Sequence, residues 1–234
     1  MKPEQLMKQA VGRKAAALVQ SGNIVGLGSG STAREAILAI GEYLALGKLH
    51  EVWGVATSLQ AALESRKAGI PLLDMAQVGA VDLAIDGADE VSPGKCVIKG
   101  GGAAHVLEKI VAGLAQKFIV IVDASKVSPQ AGRLAPVPVA VLAESGSLAL
   151  SRLEELGGNP EVRLAQRKVG PVITDQGHQI IDVWFDEISD PPQLEQQINL
   201  IPGVVDNGLF VGLADRVLVG DLKNGEPVVY EFSG

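Results

Sequence analysis

Cysteine is almost absent from this 234-residue sequence, and its single Cys96 cannot form an internal disulfide. Histidine is also rare. His50, His105 and His178 are scattered along the chain, with no thiolate or further imidazole at a metal-ligand spacing. A structural zinc site is therefore not expected, and no metal is predicted in the functional site.

Aromatic residues, long apolar runs and positive charge are scarce as well. With 3% aromatics, Val, Ile, Leu and Ala must fill the core, which is typical of buried parallel strands. Apolar runs such as 118–122 are too short to span a bilayer, and residues 1–5 lack the hydrophobic character of a signal peptide. A net charge of −7 and a pI near 5.0 argue against nucleic acid or an anionic membrane as a partner. We therefore expect a soluble, cytoplasmic protein.

The first half of the chain does contain a regular alternation of apolar strands and amphipathic helices. A helix is predicted over residues 4–20, and strands are predicted over 24–28, 52–56, 71–73, 81–85 and 118–122. Helices are predicted after the first two of these strands and before the last. Alternation of this kind predicts a mostly parallel α/β sheet flanked by helices. The length of the chain leaves room for a second, smaller unit.

After residue 126 the pattern changes, because three prolines between residues 129 and 138 interrupt the alternation. The segment that follows has the predicted order β-α-β-β-β-α, including a strand at Val172–Ile173, and suggests a small α+β layer of ferredoxin-like type. We place this small domain at 133–205. The first domain is then expected to comprise 1–132 and 206–234.

A turn rich in glycine and hydroxyl side chains, Gly28-Ser29-Gly30-Ser31-Thr32, follows the first strand. Strand, turn and helix in this order favour phosphate binding, because free amides at a helix N-terminus attract an anion. The spacing Gly28-x-Gly30-x-x-Ala33 also fits the relaxed dinucleotide fingerprint. The next strand, however, ends in Thr57-Ser58, where a ribose-binding acid would be expected. An NAD-dependent dehydrogenase is therefore disfavoured, and the turn is interpreted as a cradle for a sugar phosphate.

An acidic turn, Asp86-Gly87-Ala88-Asp89-Glu90, follows the strand that ends at Ile85. In open α/β sheets ligands bind at the carboxyl ends of the strands, which is where this turn falls. Three carboxylates so close together could also bind a metal ion, or they could simply be solvated side chains of a surface turn. Because the next glycine run is near in sequence, we prefer the interpretation that both belong to one site.

Three consecutive glycines, in Lys99-Gly100-Gly101-Gly102, precede an apolar segment that begins at Ala103 and has helical spacing. Glycine permits positive φ and close approach to a ligand. Amides at a helix N-terminus, together with Lys99, favour a phosphate or an oxyanion formed during reaction. Glu108 has apolar neighbours one turn away in the predicted helix, and its side chain leans back towards the glycines. The alternative interpretation is a structural turn followed by an ordinary surface glutamate.

Together these motifs resemble the type A ribose-5-phosphate isomerase family. The likeness covers nearly the whole chain. Ser29 is a small departure from the family pattern, in which threonine is more usual at this position, but serine keeps the hydroxyl group. It rests on four segments in the family's order and spacing, and on two more near the C-terminus: Gly28–Thr32, Asp86–Glu90, Lys99–Ile110, Asp123–Lys126, Ile201–Val205 and Gly208–Phe210.

The resemblance implies a Rossmann-like open sheet, mostly parallel and flanked by helices, with a smaller α+β ferredoxin-like domain inserted. It also implies an aldose-ketose isomerase that interconverts D-ribose 5-phosphate and D-ribulose 5-phosphate through an enediolate, in the non-oxidative pentose phosphate pathway. No cofactor is expected. The sugar phosphate is the expected partner, and the resemblance implies a homodimer or a higher homo-oligomer.

The resemblance further implies roles for individual residues. Glu108 matches the general base that carries the proton between C2 and C1, and Lys99 with the amides of Gly100, Gly101 and Gly102 matches the oxyanion donors. Asp86 and Asp89 match the carboxylates that handle the sugar hydroxyls. The residues expected to bind the remainder of the substrate are Ser29, Gly30, Ser31, Thr32, Gly87, Ala88, Lys126 and Lys8.

A sugar-phosphate sensor without catalysis is the alternative, because effector-binding domains of some transcriptional regulators resemble this fold. Such a regulator needs a DNA-binding module. Only about 20 residues precede the first predicted strand, which is too few for a helix-turn-helix domain, and the chain is acidic.

Overall fold

The computed structural model describes residues 2–234 of the chain, which divides into two compact units. Unit 1 consists of Met1–Ala88, Leu107–Val127 and Leu213–Gly234, and unit 2 consists of Asp89–Val106 and Ser128–Gly212.

The described residues form thirteen strands and six α-helices. The strands are β1 (Ile24–Leu27), β2 (Trp53–Ala56), β3 (Leu83–Asp86), β4 (Glu90–Ser92), β5 (Cys96–Ile98), β6 (Phe118–Asp123), β7 (Val137–Val141), β8 (Gly158–Val162), β9 (Gln179–Phe185), β10 (Val204–Asn207), β11 (Leu209–Phe210), β12 (Arg216–Lys223) and β13 (Glu226–Glu231). The helices are α1 (Pro3–Ala16), α2 (Gly30–Ala45), α3 (Leu59–Lys67), α4 (His105–Leu114), α5 (Gly146–Glu155) and α6 (Pro191–Asn199).

Unit 1 is built on a six-stranded sheet with the strand order β13-β12-β6-β3-β1-β2. All neighbouring strands are parallel except β13, which pairs antiparallel at one edge. The predicted mostly parallel α/β sheet is therefore confirmed. The chain leaves β1 for β2 on one side and returns to β3 on the other, so the strand order reverses between β1 and β3. Such a reversal opens a crevice at the carboxyl ends of the strands, where α/β proteins bind ligands.

Aliphatic side chains fill the core of unit 1, as the low aromatic content predicts. Leu27 and Ile85 of the sheet pack in one buried cluster with Ile37 and Ile40 of α2. The strand glycine Gly26 has a packing role, because a Cβ at this position would collide with a side-chain methyl group of Val111 in α4. The absence of a side chain thus lets α4 lie directly against β1.

Three local features of unit 1 differ from the sequence-based expectation. The first helix ends at Ala16 rather than near residue 20, and the strand expected at 71–73 is only a single bridge between Leu72 and Gly54. Strand β13 was not predicted. It forms a hairpin with β12 through Asn224 and Gly225, both at positive φ, and this Asn-Gly pair is the usual signal for a tight hairpin turn.

The larger part of unit 2 is a four-stranded antiparallel sheet with the order β10-β7-β9-β8. With α5 between β7 and β8 and α6 between β9 and β10, the chain order is β-α-β-β-α-β, which is the ferredoxin-like arrangement. The ferredoxin-like type is thus confirmed, but the predicted order was wrong in detail. Val172–Ile173 is not a strand, since Ile173 makes only an isolated bridge to Gln179, and the last strand of the sheet is β10.

A second, three-stranded sheet in unit 2 has the order β11-β5-β4. Its buried Ile98 and Leu209 belong to the same apolar cluster as Val139, Leu153 and Ile181 of the ferredoxin-like layer. This shared core explains why residues 89–106 and 206–212 group with unit 2, whereas the sequence places both segments in the first domain. The boundaries 1–132 with 206–234, and 133–205, stay a prediction.

None of the helices between residues 2 and 234 has both the length and the apolar character needed to cross a bilayer.

Candidate functional site

The glycine and hydroxyl turn at 28–32 lies at the carboxyl end of β1 and opens α2, as predicted. Gly28 is required because a Cβ would collide with the carboxylate of Asp86. The Ser29 amide donates to Asp86 Oδ1 at 3.0 Å. Gly30 has a φ of 89° and donates its amide to Gln60 Oε1 at 3.0 Å. The turn is therefore bound tightly to the end of β3, its neighbour in the sheet.

The side chain of Ser29 belongs to a small cluster of hydroxyl groups. Its Oγ lies 2.8 Å from Thr57 Oγ1 and 2.6 Å from Ser58 Oγ. Thr57 Oγ1 also donates to the Leu27 carbonyl at 3.1 Å, and Ser58 caps α3 by accepting from the amide of Ala61. In the sequence, Thr57-Ser58 is notable only because an acidic residue is missing there. Sequence reasoning did not predict that these two hydroxyl groups hydrogen-bond to Ser29.

Two further predicted residues lie beside this turn. Lys8 of α1 donates from Nζ to Ser31 Oγ at 3.0 Å and forms an ion pair with Glu4. Its side chain is only 12% exposed, so it is held at the turn rather than extended into solvent. A Cβ added at Gly87 would lie 4.0 Å from the Cβ of Thr32, so the acidic turn borders the same place.

For Lys126 and Ala88, the described contacts include no direct link to the turn at 28–32. Lys126 lies in the short 3₁₀ turn Ala124–Lys126 that follows β6, and Asp123 caps that turn through the amide of Ser125. Because β6 and β3 are neighbouring parallel strands, Lys126 and Asp86 both lie at the carboxyl ends of the strands. Ala88 is half-buried and is the last residue of the first segment of unit 1.

Two buried carboxylates come together in unit 1. Asp86 is 2% exposed, and its Oδ1 accepts from the amides of both Ser29 and Gly87. Glu108, in the first turn of α4, is 6% exposed and lines the same narrow gap as Asp86, together with Gly28 and Val111. The interpretation of Glu108 as an ordinary surface glutamate is therefore wrong.

Asp89 contacts the glycine run directly in unit 2. Its Oδ2 accepts from the amide of Gly101 at 2.7 Å, and a Cβ on Gly101 would stand 2.7 Å from Oδ1. Lys99 is 3% exposed, and its ammonium lies 5.6 Å from the centre of the Phe210 ring. Gly102 is exposed. The structure thus groups Asp89 with the predicted oxyanion donors.

The glycine run does not open α4 directly, which corrects the sequence-based prediction. Gly100 has a φ of 109°, and a Cβ on it would come within 2.6 Å of His105 Nδ1. Ala103 is also left-handed, with a φ of 58°, and donates its amide to the Gly100 carbonyl at 2.9 Å. This hydrogen-bonded turn delays the start of the helix to His105. Ile110, expected on the apolar face, is 46% exposed.

Glu90, the third carboxylate of the acidic turn, has a structural role. It is 1% exposed and accepts from the backbone amides of Leu134 at 2.7 Å, of Ala135 at 3.0 Å and of Arg133 at 3.4 Å. The turn is thus not simply solvated. Within residues 2–234, no three side chains of His, Cys, Asp or Glu are grouped so that they could hold a metal ion.

Comparison with known proteins identifies close relatives. Residues 53–224 match the family model described as ribose 5-phosphate isomerase A (phosphoriboisomerase A). The chain is 50% identical to the ribose-5-phosphate isomerase A of Trichodesmium erythraeum, over 99% of this chain and 98% of that protein, and 52% identical to that of Thermosynechococcus vestitus, over 97% and 96%. A solved D-ribose-5-phosphate isomerase in complex with phospho-erythronic acid superposes with a TM-score of 0.94 at 39% identity, covering 99% of both chains.

Proposed function

The chain belongs to the ribose 5-phosphate isomerase A family, and from this we propose that it is an aldose-ketose isomerase interconverting D-ribose 5-phosphate and D-ribulose 5-phosphate. The observation that carries the proposal is the pair of buried carboxylates, Asp86 and Glu108, beside a phosphate-type turn at the strand reversal of unit 1. The near full-length identity to proteins named for this activity supports it.

Glu108 is the proposed general base. Isomerisation requires removal of a weakly acidic C–H proton next to a carbonyl and its return to the neighbouring carbon. A carboxylate held in one place can take the proton from C2 and deliver it to C1. Burial of Glu108 excludes most water from the carboxylate, so that the proton is returned to the sugar rather than lost to solvent.

Lys99 and the amides of Gly100 and Gly102 are the proposed donors to the enediolate oxygens, whereas the Gly101 amide donates to Asp89. Hydrogen-bond donors that are fixed before the reaction stabilise the charge as it develops. Asp86 and Asp89 are the proposed partners of the sugar hydroxyls, which must be oriented and, in the ring form, released. Both carboxylates are fixed by backbone amides, of Gly87 and Gly101 respectively.

The turn at 28–32 is the proposed phosphate site. It offers hydroxyl groups, the N-terminus of α2 and the ammonium of Lys8, which already contacts Ser31. Free N-terminal amides and the positive end of the helix dipole favour a dianion. Lys126, Gly87 and Ala88 complete the set, and no metal or other cofactor is part of the proposal.

The proposal extends to assembly and location. We propose that the protein forms a homodimer or a higher homo-oligomer in the cytoplasm. Assembly is supported by apolar side chains of unit 2 that this chain leaves exposed, a pattern that often marks a protein interface. They are Leu142, Leu164, Ile173, Trp184 and Val205.

The test is a coupled assay that follows ribulose 5-phosphate formation from ribose 5-phosphate by the purified chain. Turnover supports the isomerase. Saturable binding of ribose 5-phosphate without turnover would contradict it and would support the sugar-phosphate sensor instead.

A further inference from the structure

Arg163 contacts the glycine run and has none of the roles described so far. Its Nη1 donates to the carbonyl of Gly100 at 2.9 Å and to the carbonyl of Gly101 at 3.1 Å. The same guanidinium forms a two-point ion pair with Asp182, with Nε donating to Oδ2 at 2.7 Å and Nη2 donating to Oδ1. Both side chains are mostly buried, with 16% and 22% exposure.

The ferredoxin-like sheet anchors this pair. Arg163 directly follows β8, and its amide donates to the Ile180 carbonyl in β9, the strand that carries Asp182. The backbone of Arg163 is thus fixed by β9, and its guanidinium is fixed by the Asp182 carboxylate. These bonds are independent of its contacts with the glycine run. A planar guanidinium with five donors can make these four hydrogen bonds at once, whereas a lysine ammonium has only three donors, all on one nitrogen.

The two contacts fix the direction of two peptide groups. In a trans peptide the carbonyl and the following N–H point in opposite directions. When the carbonyls of Gly100 and Gly101 face Arg163, the amides of Gly101 and Gly102 face away from it. The Gly101 amide indeed reaches Asp89 Oδ2. The first of these peptide groups is also held by the Ala103 amide and by Asp89. For the second, Arg163 supplies the contact, and glycines by themselves restrict φ and ψ very little.

We propose that Arg163, clamped by Asp182, is a positioning residue for the oxyanion donors: it holds the two peptide groups so that the Gly101 amide stays on Asp89 and the Gly102 amide faces the reacting sugar. Its positive charge also polarises both peptide groups, which makes their N–H groups stronger donors. This inference rests on the proposed isomerase function. It gives the ferredoxin-like layer a part in catalysis, because that layer carries both Arg163 and Asp182.

The test compares wild type with Arg163→Lys, Arg163→Met and Asp182→Asn in the coupled assay. The donors act on charge that develops only in the transition state, so kcat should fall while KM stays within about threefold. Loss of one oxyanion donor lowers kcat by about 10²–10³. For the misplacement expected here we predict a fall of at least about tenfold in both Arg163 variants and a smaller fall in Asp182→Asn.

Inhibition separates positioning from a merely structural role. Phospho-erythronic acid, with which the solved relative forms a complex, carries a carboxylate that can stand in for the planar, anionic enediolate. Its inhibition constant should rise at least about tenfold in the Arg163 variants. Inhibition by inorganic phosphate, which needs only the turn at 28–32, should change by less than about threefold.

The matched control is Arg152→Met. Arg152 lies in α5 of the same unit and forms an exposed ion pair with Glu155, so its loss should leave kcat unchanged.

A wild-type kcat in folded Arg163→Lys, or equal weakening of inhibition by both inhibitors, would overturn the inference. If the wild type itself shows no turnover, the proposed function fails first. Melting temperatures identify unfolded variants, and Arg163→Lys with Asp182→Asn keeps the test decisive if Arg163→Met does not fold.

Discussion

At the scale of single residues, Glu108 gives the sharpest test of the proposed chemistry. Glu108→Gln keeps the shape of the side chain in its buried position but cannot accept a proton. A positioned base contributes about 10²–10⁴-fold to the rate, so kcat should fall at least about 100-fold, while KM should stay within a few-fold. Steady-state kinetics measures both. Glu144→Gln, at an exposed position, is the control. A variant that keeps more than about a tenth of the wild-type kcat would rule out Glu108 as the base.

Cys96 should be chemically inert in the folded protein. Burial, the largest effect, raises the pKa of its thiol to about 11. Since an unfolded thiol has a pKa of about 8.5, folded Cys96 at pH 8 should react with iodoacetamide at least about 100-fold more slowly than Cys96 in urea. The raised pKa also means that its contribution to stability is complete below pH 8.5 and is lost as the pH rises towards 11. Comparable labelling rates in the folded and unfolded protein would contradict this.

Local motifs predict some residues of the candidate site, whereas others depend on long-range contacts that no motif shows. Asp86 and Glu108 stand in recognisable segments, next to a strand end and after a glycine run, and the structure groups them with Gly28. The contact of Arg163 with Gly100 joins residues 63 positions apart. No pattern around Arg163 signals it, because the approach depends on how β8 and β9 pair.

At the scale of elements, the turn at 28–32 with the start of α2 should make the 5-phosphate essential for turnover. Binding energy from this remote group can orient C1 and C2 towards the base, so its loss should lower kcat as well as raise KM. Unphosphorylated ribose is the probe, and its kcat should be at least about 100-fold below that of ribose 5-phosphate. Similar kcat values for the two sugars would mean that the turn is only structural.

The elements themselves could largely be predicted from periodicity, but their ends could not. The strands around β1 and β6 follow from apolar runs. The start of α4 at His105 depends on the left-handed Ala103 and its bond to Gly100, and alanine gives no sign of that conformation. β10 was missed because its residues are only partly apolar, and its place at the sheet edge is set by pairing with β7.

At the scale of the whole molecule, we predict that the protein assembles in solution. Light scattering of a dilute sample should give a mass of at least twice 24.3 kDa. Trp184, which is 45% exposed in the single chain, allows a second readout, since its fluorescence should change on dilution if it becomes buried on assembly. A fully active monomer would refute the prediction.

The chain crosses between the two units four times, and this has a consequence for synthesis on the ribosome. Unit 2 is complete once Gly212 has been made, whereas β12 and β13 lie beyond it in the chain. Until they emerge, β6 is an unpaired edge of the larger sheet, with its backbone groups open to other strands. The strands made last therefore close the sheet made first, and until then the open edge of β6 can pair with other strands.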